Sequence, residues 1–118
     1  IFMQKPMYEI SAIGSFFIKE IIKPKNYKLI KNSVNRLLDG KKLFIRYLKE
    51  MNIEYFNSFG NFIHVNFGQP KKNIIKKLQR HIYFRAEENH ISLKGYSRIS
   101  LTSEKNFKSI IKIINKFY

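Results

Sequence analysis

The chain has 118 residues, a net charge of +15 and no cysteine, so disulfides and thiolate chemistry are excluded. Its length suits one domain, residues 1–118, with a modest core. Apolar residues make up 44% and aromatics 15%, too much for a disordered chain, and Lys interrupts every apolar run well short of the roughly 20 residues that a membrane span needs. No signal peptide is visible, and the first residue is Ile1 rather than Met. The chain is therefore expected to be cut from something longer, and the lack of Cys suits the cytoplasm.

A strongly basic balance ordinarily points to nucleic acid or to an anionic membrane surface. Here the charge is carried mostly by Lys, among many Ile, Asn and Phe residues. Codon bias in an AT-rich genome produces that mixture, so the charge by itself assigns no function.

Ile1 to Met7 reads as an extended segment, since Pro6 disfavours helix at Lys5. Tyr8 to Ile22 reads as a helix with Ile10, Ile13, Phe17 and Ile21 along one stripe. Ala12, Phe16, Ile18 and Ile22 make the remaining surface apolar too, so this helix is expected to be covered on more than one side. Lys23-Pro24-Lys25-Asn26 breaks the pattern, with Asn26 a candidate N-cap. Tyr27 to Met51 is a second helix, about 35 Å long. Ile30, Val34, Leu37, Phe44, Leu48 and Met51 form its seam, widened by Leu38 and Ile45 and interrupted by Lys41. Gly40 costs such a helix about 1 kcal/mol against Ala and marks a candidate bend.

Asn52 ends that helix, and Ile53 to Phe56 reads as a short strand. Asn57 to Gly60 has turn chemistry. Asn61 to Phe67 is the clearest strand, with Ile63, Val65 and Phe67 on one face and Phe62, His64 and Asn66 on the other. Gly68-Gln69-Pro70 leads into a helix through Arg80, with Ile74, Ile75 and Leu78 inward and Lys71, Lys72, Lys76 and Lys77 outward. Two further strands follow, Ile82 to Arg85 and Ser97 to Leu101. In the second, Ser97, Ile99 and Leu101 point one way while Arg98 and Ser100 point the other. A hydroxyl of Thr102-Ser103 and the carboxylate of Glu104 open a final helix, Ser103 to Tyr118. It buries Phe107, Ile110, Ile111 and Ile114 and exposes Lys105, Lys108, Lys112 and Lys116.

The order α-α-β-β-α-β-β-α predicts an α+β fold, a small mixed sheet of three to four strands with helices packed on one face. Alternation aims Arg98 off the polar side of that sheet. Its planar fork suits a carboxylate or a phosphate, although an Arg at a strand end more often makes a surface ion pair. Other chemistry is sparse. His64, His81 and His90 lack ligand spacing and acidic or thiol companions, so no metal is expected. Glu87 and Glu88 are adjacent in a turn and point apart, and no Gly-rich phosphate loop is present.

Arg85 at a strand end, then Lys94-Gly95-Tyr96-Ser97-Arg98-Ile99-Ser100, then Thr102-Ser103-Glu104-Lys105-Asn106 together resemble the C-terminal small domain of pyridoxal-phosphate-dependent aminotransferases of class I/II, fold type I. The nearest likeness is to the histidinol-phosphate aminotransferases and the threonine-phosphate decarboxylases. Pro6-Met7-Tyr8-Glu9-Ile10-Ser11 is similar to the family's interdomain Pro-x-Tyr-x-x-Asn, with Ser11 in place of Asn. Asn61-Phe62-Ile63 is similar to its Asn-Phe-Val strand start. The resemblance covers nearly the whole chain and implies transfer of an amino group between an amino acid and a 2-oxo acid, with or without a phosphate on the substrate.

It further implies that Arg98 binds the substrate α-carboxylate and that Arg85 lies near the distal end of the substrate. The Schiff-base Lys, the acid for the pyridine nitrogen and the phosphate donors belong to the family's large domain. No Lys here stands in the family's Ser-x-x-Lys setting. The chain is thus expected to recognise substrate but to be inactive alone, with pyridoxal phosphate held by the large domain. Its expected partners are that domain, a second subunit and the amino acid; no membrane is expected.

The competing class is a basic nucleic-acid-binding α+β module. Phe59-Gly60-Asn61-Phe62-Ile63-His64-Val65 resembles the aromatic strand of an RNA-recognition motif. It lacks the leading basic-Gly pair, and two N-terminal helices do not fit that motif's β-α-β-β-α-β order. A protein-interaction domain, the third class, has in its favour only the apolar surplus of the first helix.

Overall fold

A computed structural model describes residues 11–86 and 91–118. The Ile1–Met7 segment, the first turn expected from Tyr8, the Glu87-Glu88 pair and His90 lie outside the described residues. The chain divides into two compact units, Ile1–Ser33 and Val34–Tyr118. The first holds α1 (Ala12–Ile21) and the start of α2 (Pro24–Glu50), which runs on into the second. Among the described residues, no helix is long and apolar enough to cross a membrane.

Ser11 caps α1, its hydroxyl accepting from the Gly14 amide at 3.0 Å. The second helix starts earlier than expected. Pro24 is its first residue, a position where the missing N–H and fixed φ suit a helix start. Asn26 does not cap it; its side-chain amide donates to the Glu20 carbonyl at 2.7 Å. At the other end Asn52 takes a φ of 52°. The Ile53 and Asn52 amides donate to the Leu48 and Lys49 carbonyls at 2.9 and 3.1 Å. That is a Schellman stop with Asn at the left-handed position.

The second unit adds β1 (Glu54–Phe56), β2 (Phe62–Asn66), α3 (Lys71–Leu78), β3 (Phe84–Ala86), a single 3-10 turn (Ile91–Leu93), β4 (Ser97–Ser100) and α4 (Glu104–Ile114). The fold is α+β, with a four-stranded sheet in the order β1-β2-β4-β3. It is antiparallel throughout rather than mixed. The strands β2 and β3 flank α3 and run the same way, but β4 inserts between them, so no parallel neighbours remain.

One face of the sheet is apolar because side chains alternate. Ile63, Val65 and Ile99 are buried on it. They form a single core with Phe44 and Leu48 of α2, Ile74 and Leu78 of α3, and Phe107, Ile110 and Ile114 of α4. At its centre Phe44 and Phe107 stack with ring centroids 4.5 Å apart. The α2 seam buries side chains only from Gly40 onward; Ile30 and Val34 are exposed. Lys41, which interrupts the seam, donates to the Ser58 carbonyl in the β1–β2 turn.

The last helix is shorter than the expected Ser103–Tyr118. Ser103 is at the N-cap, but its hydroxyl makes no capping bond. The Thr102 hydroxyl instead accepts from the Asn106 side chain at 2.8 Å. The chain end leaves the helix and is fixed by Tyr118, whose hydroxyl donates to the Phe67 carbonyl at 2.7 Å.

Candidate anion-binding face of the sheet

The strand face turned away from the core carries Glu54 and Phe56 of β1, Phe62, His64 and Asn66 of β2, Arg98 and Ser100 of β4, and Arg85 of β3. Antiparallel register aligns these residues in rows across the sheet. One row runs Phe56, His64, Arg98, Arg85, each directly opposite the next. Neighbouring strands lie about 4.8 Å apart, so His64 and Arg85 flank Arg98 at about that distance on either side.

Arg98 is half-buried and Arg85 exposed. The Arg98 guanidinium carbon lies 5.2 Å from the centroid of the Phe62 ring, a cation–π distance. The same ring meets the His64 imidazole edge-on, with centroids 5.2 Å apart and planes at 72°. Phe62 therefore packs against both the guanidinium and the imidazole. Arg85 stands directly opposite Arg98 on the neighbouring strand, an arrangement of like charges.

Among the described residues, the acid on this face is Glu54, on the edge strand β1. The Glu54 carboxylate accepts from the Tyr96 hydroxyl and from the Asn66 amide at 3.1 Å, and these two bonds hold its carboxyl below the ordinary carboxylate range. Tyr96 is only 6% exposed and stacks on Phe56 with centroids 4.8 Å apart. Burial, then the hydrogen bond and charge of Glu54, push its hydroxyl up to about 12.

The residues present do not fit pyridoxal phosphate. None of the strands carries a Lys, and the strand side chains near Arg98 offer no amine for a Schiff base. Among the described residues, the strands of this face therefore carry no covalent attachment point for that cofactor.

Of the residues singled out from sequence, Arg98 and Arg85 come together, on neighbouring strands of one face. Two others were missed as site residues. Alternation placed Phe62 and His64 on the polar face, but only register sets His64 opposite Arg98. His81 lies elsewhere, lining a cleft of about 290 Å³ with Lys77 and Lys116 and one of about 430 Å³ with Lys76, Lys77 and Arg80. Among the described residues, the lining of those clefts includes no acid and no hydroxyl. No family model matches the chain, and no curated protein matches it.

Proposed function

We propose that this chain is the substrate-recognising small domain of a pyridoxal-phosphate-dependent aminotransferase, a cytoplasmic enzyme whose large domain holds the cofactor. The observation that carries the reading is the placement of Arg98 and Arg85 side by side on the open face of the sheet. An amino acid substrate presents an α-carboxylate and a distal group, and two guanidinium groups on adjacent strands suit such a pair of contacts. Arg98 takes the carboxylate through its two parallel donors, and Phe62 steadies its guanidinium. Arg85, more exposed, takes the distal end. Contacts of this kind orient the Cα–H bond of the bound substrate; the energy comes from groups remote from the reacting atom.

The test is made in the full-length enzyme. Arg98→Ala loses charge and fork together, and kcat/KM is expected to fall on the order of a hundredfold or more. Arg98→Lys keeps the charge and is expected to fall between that variant and the parent. The visible absorbance of the bound cofactor is expected to stay in both, because no residue of this face holds it. Unchanged transamination in both variants, or a protein upstream of Ile1 lacking a Ser-x-x-Lys segment, would overturn the reading.

A second reading, a nucleic-acid-binding module, draws support from the aromatic and basic residues that share this open sheet face. Its mark is binding that saturates on one defined sequence. A salt-sensitive affinity shared by all sequences is expected of any chain this basic.

A further inference from the structure

We propose that the two-lobed cleft at the C-terminal ends of α3 and α4 binds a small organic phosphate, a flat apolar body carrying one phosphate group. The two helices pack together. Lys77 and His81 line both lobes. Ile113, Lys116 and Phe117 complete the first, of about 290 Å³. Lys76, Gln79 and Arg80 complete the second, of about 430 Å³. Small-ligand sites run from about 300 to 1,000 Å³, so each lobe holds one part of a small molecule.

The lobes differ in chemistry. Ile113 and Phe117 give the first an apolar wall, both half-buried and packed against the core. The wall is fixed: the Phe117 amide donates to the Ile114 carbonyl at 2.9 Å, and the next residue, Tyr118, is tied to the Phe67 carbonyl. The second lobe is cationic. Cations near helix C-termini ordinarily answer the dipole, which leaves about half a negative charge at each end. Two ends amount to about one negative charge, against four cations in Lys76, Lys77, Arg80 and Lys116, so a surplus of about three remains. Among the described residues, none of these four side chains makes an ion pair or a hydrogen bond; the ion pairs lie at Glu20–Lys23 and Asp39–Lys42. A phosphate group meets that surplus, through the Arg80 fork and the Lys ammoniums. His81 offers an N–H donor even as the neutral imidazole. A phosphate alone leaves the apolar wall uncovered, which is why the ligand carries a flat apolar body as well.

The experiment uses the full-length protein and 1-naphthyl phosphate, with inorganic phosphate and 1-naphthol as its separate halves. Affinity is measured by calorimetry at one pH and one ionic strength. Naphthyl phosphate is expected to bind at least about tenfold more tightly than either half. Lys77→Glu, at the residue shared by the lobes, is expected to weaken it by about tenfold or more. Lys72→Glu makes the same charge change on the same helix outside the cleft, and is expected to cost less than about twofold. Phe117→Ala is expected to bring naphthyl phosphate close to inorganic phosphate while leaving inorganic phosphate unchanged. Arg98→Ala, on the sheet face, is expected to leave both affinities alone. In the parent protein the NMR signals of the His81 ring are expected to shift as naphthyl phosphate is added, a readout that needs no variant.

Naphthyl phosphate no tighter than inorganic phosphate, or His81 signals unmoved by it, would overturn the proposal. Equal losses in Lys72→Glu and Lys77→Glu would do the same, since they would reduce the cleft to general basic charge. Binding lost in Arg98→Ala would move the ligand to the sheet face. A single-stranded oligonucleotide that displaces naphthyl phosphate from His81 at lower concentration would assign the cleft to nucleic acid instead. The aminotransferase reading stands or falls separately, because it rests on Arg98 and Arg85 and uses no residue of this cleft.

Discussion

Glu54 and Tyr96 form one hydrogen-bonded pair whose two members are shifted in opposite directions. The Glu54 carboxyl sits below its ordinary range in the folded chain, so its contribution is present at neutral pH and is lost as pH falls through the carboxylate range. Tyr96 is raised from 10.0 to about 12, so its contribution is present below pH 10 and is lost as pH rises toward 12. Tyr47 is likewise pushed up to about 12, first by burial and then by Tyr118, while burial raises Tyr118 itself. Stability is therefore expected to hold a plateau between the carboxylate range and pH 10 and to fall on both sides. Tyr96→Phe removes the bond to Glu54 but leaves Tyr47 and Tyr118. It is expected to weaken the acid limb and only trim the alkaline one, read as urea midpoints across pH. An acid limb identical to that of the parent would show that Glu54 owes nothing to Tyr96. The direction in which Arg98 points was legible, because Ser97, Ile99 and Leu101 alternate with it. Its neighbours were not. That Arg85 and His64 stand opposite Arg98 depends on β4 lying between β2 and β3, and alternation within one strand carries no information about register.

The packing of α2 on the start of α4 shows why a residue that weakens a helix can be required by the fold. Read along the chain, Gly40 is a penalty of about 1 kcal/mol and a candidate bend. In the fold it is buried, and a Cβ placed there would run into the Thr102 carbonyl oxygen, with the Ser103 carbonyl carbon at 2.9 Å. Both obstacles are backbone, which cannot swing aside as a side chain would. Gly40→Ala thus gains about 1 kcal/mol of helix propensity and meets an overpacking cost of about 1–3 kcal/mol or more. The clash is expected to win, because both obstacles are backbone, with a net loss of up to about 2 kcal/mol or more in chemical denaturation. A variant at least as stable as the parent would show that α2 and the Thr102–Ser103 segment can move apart freely. Phe107→Ala, which empties the ring site stacked on Phe44, is expected to cost about 3–5 kcal/mol. Helix and strand order was legible because each apolar period is clear. The ends were less so, since Pro24 at the first helical position and the early stop of α4 turn on local bonds that periodicity does not encode.

At the scale of the molecule, the two units differ in kind. Among the described residues, the buried core lies in the second, whereas α1 in the first buries no residue. Ile13 is 71% exposed, Phe16 62%, Phe17 58% and Ile22 66%, so the helix presents apolar side chains around most of its circumference. Fully burying a large apolar side chain is worth about 1.5–3 kcal/mol, so half-covering four of them yields several kcal/mol toward another surface. The +15 charge opposes two copies meeting, through mutual repulsion that falls off over a Debye length of about 8 Å at physiological salt. Added salt shortens that range and leaves the apolar term intact. The chain alone is therefore expected to self-associate through α1, and more strongly at high salt than at low. Sedimentation at two ionic strengths measures this directly, with Phe16→Glu and Phe17→Glu as controls, since each sets a carboxylate into the contact. The variants are expected to sediment as monomers at both salts. A parent chain that is monomeric at both, or an oligomer that both Glu variants leave untouched, would place the association elsewhere or remove it. Weaker association at high salt would show that charge pairing between the copies, and not α1, holds them together.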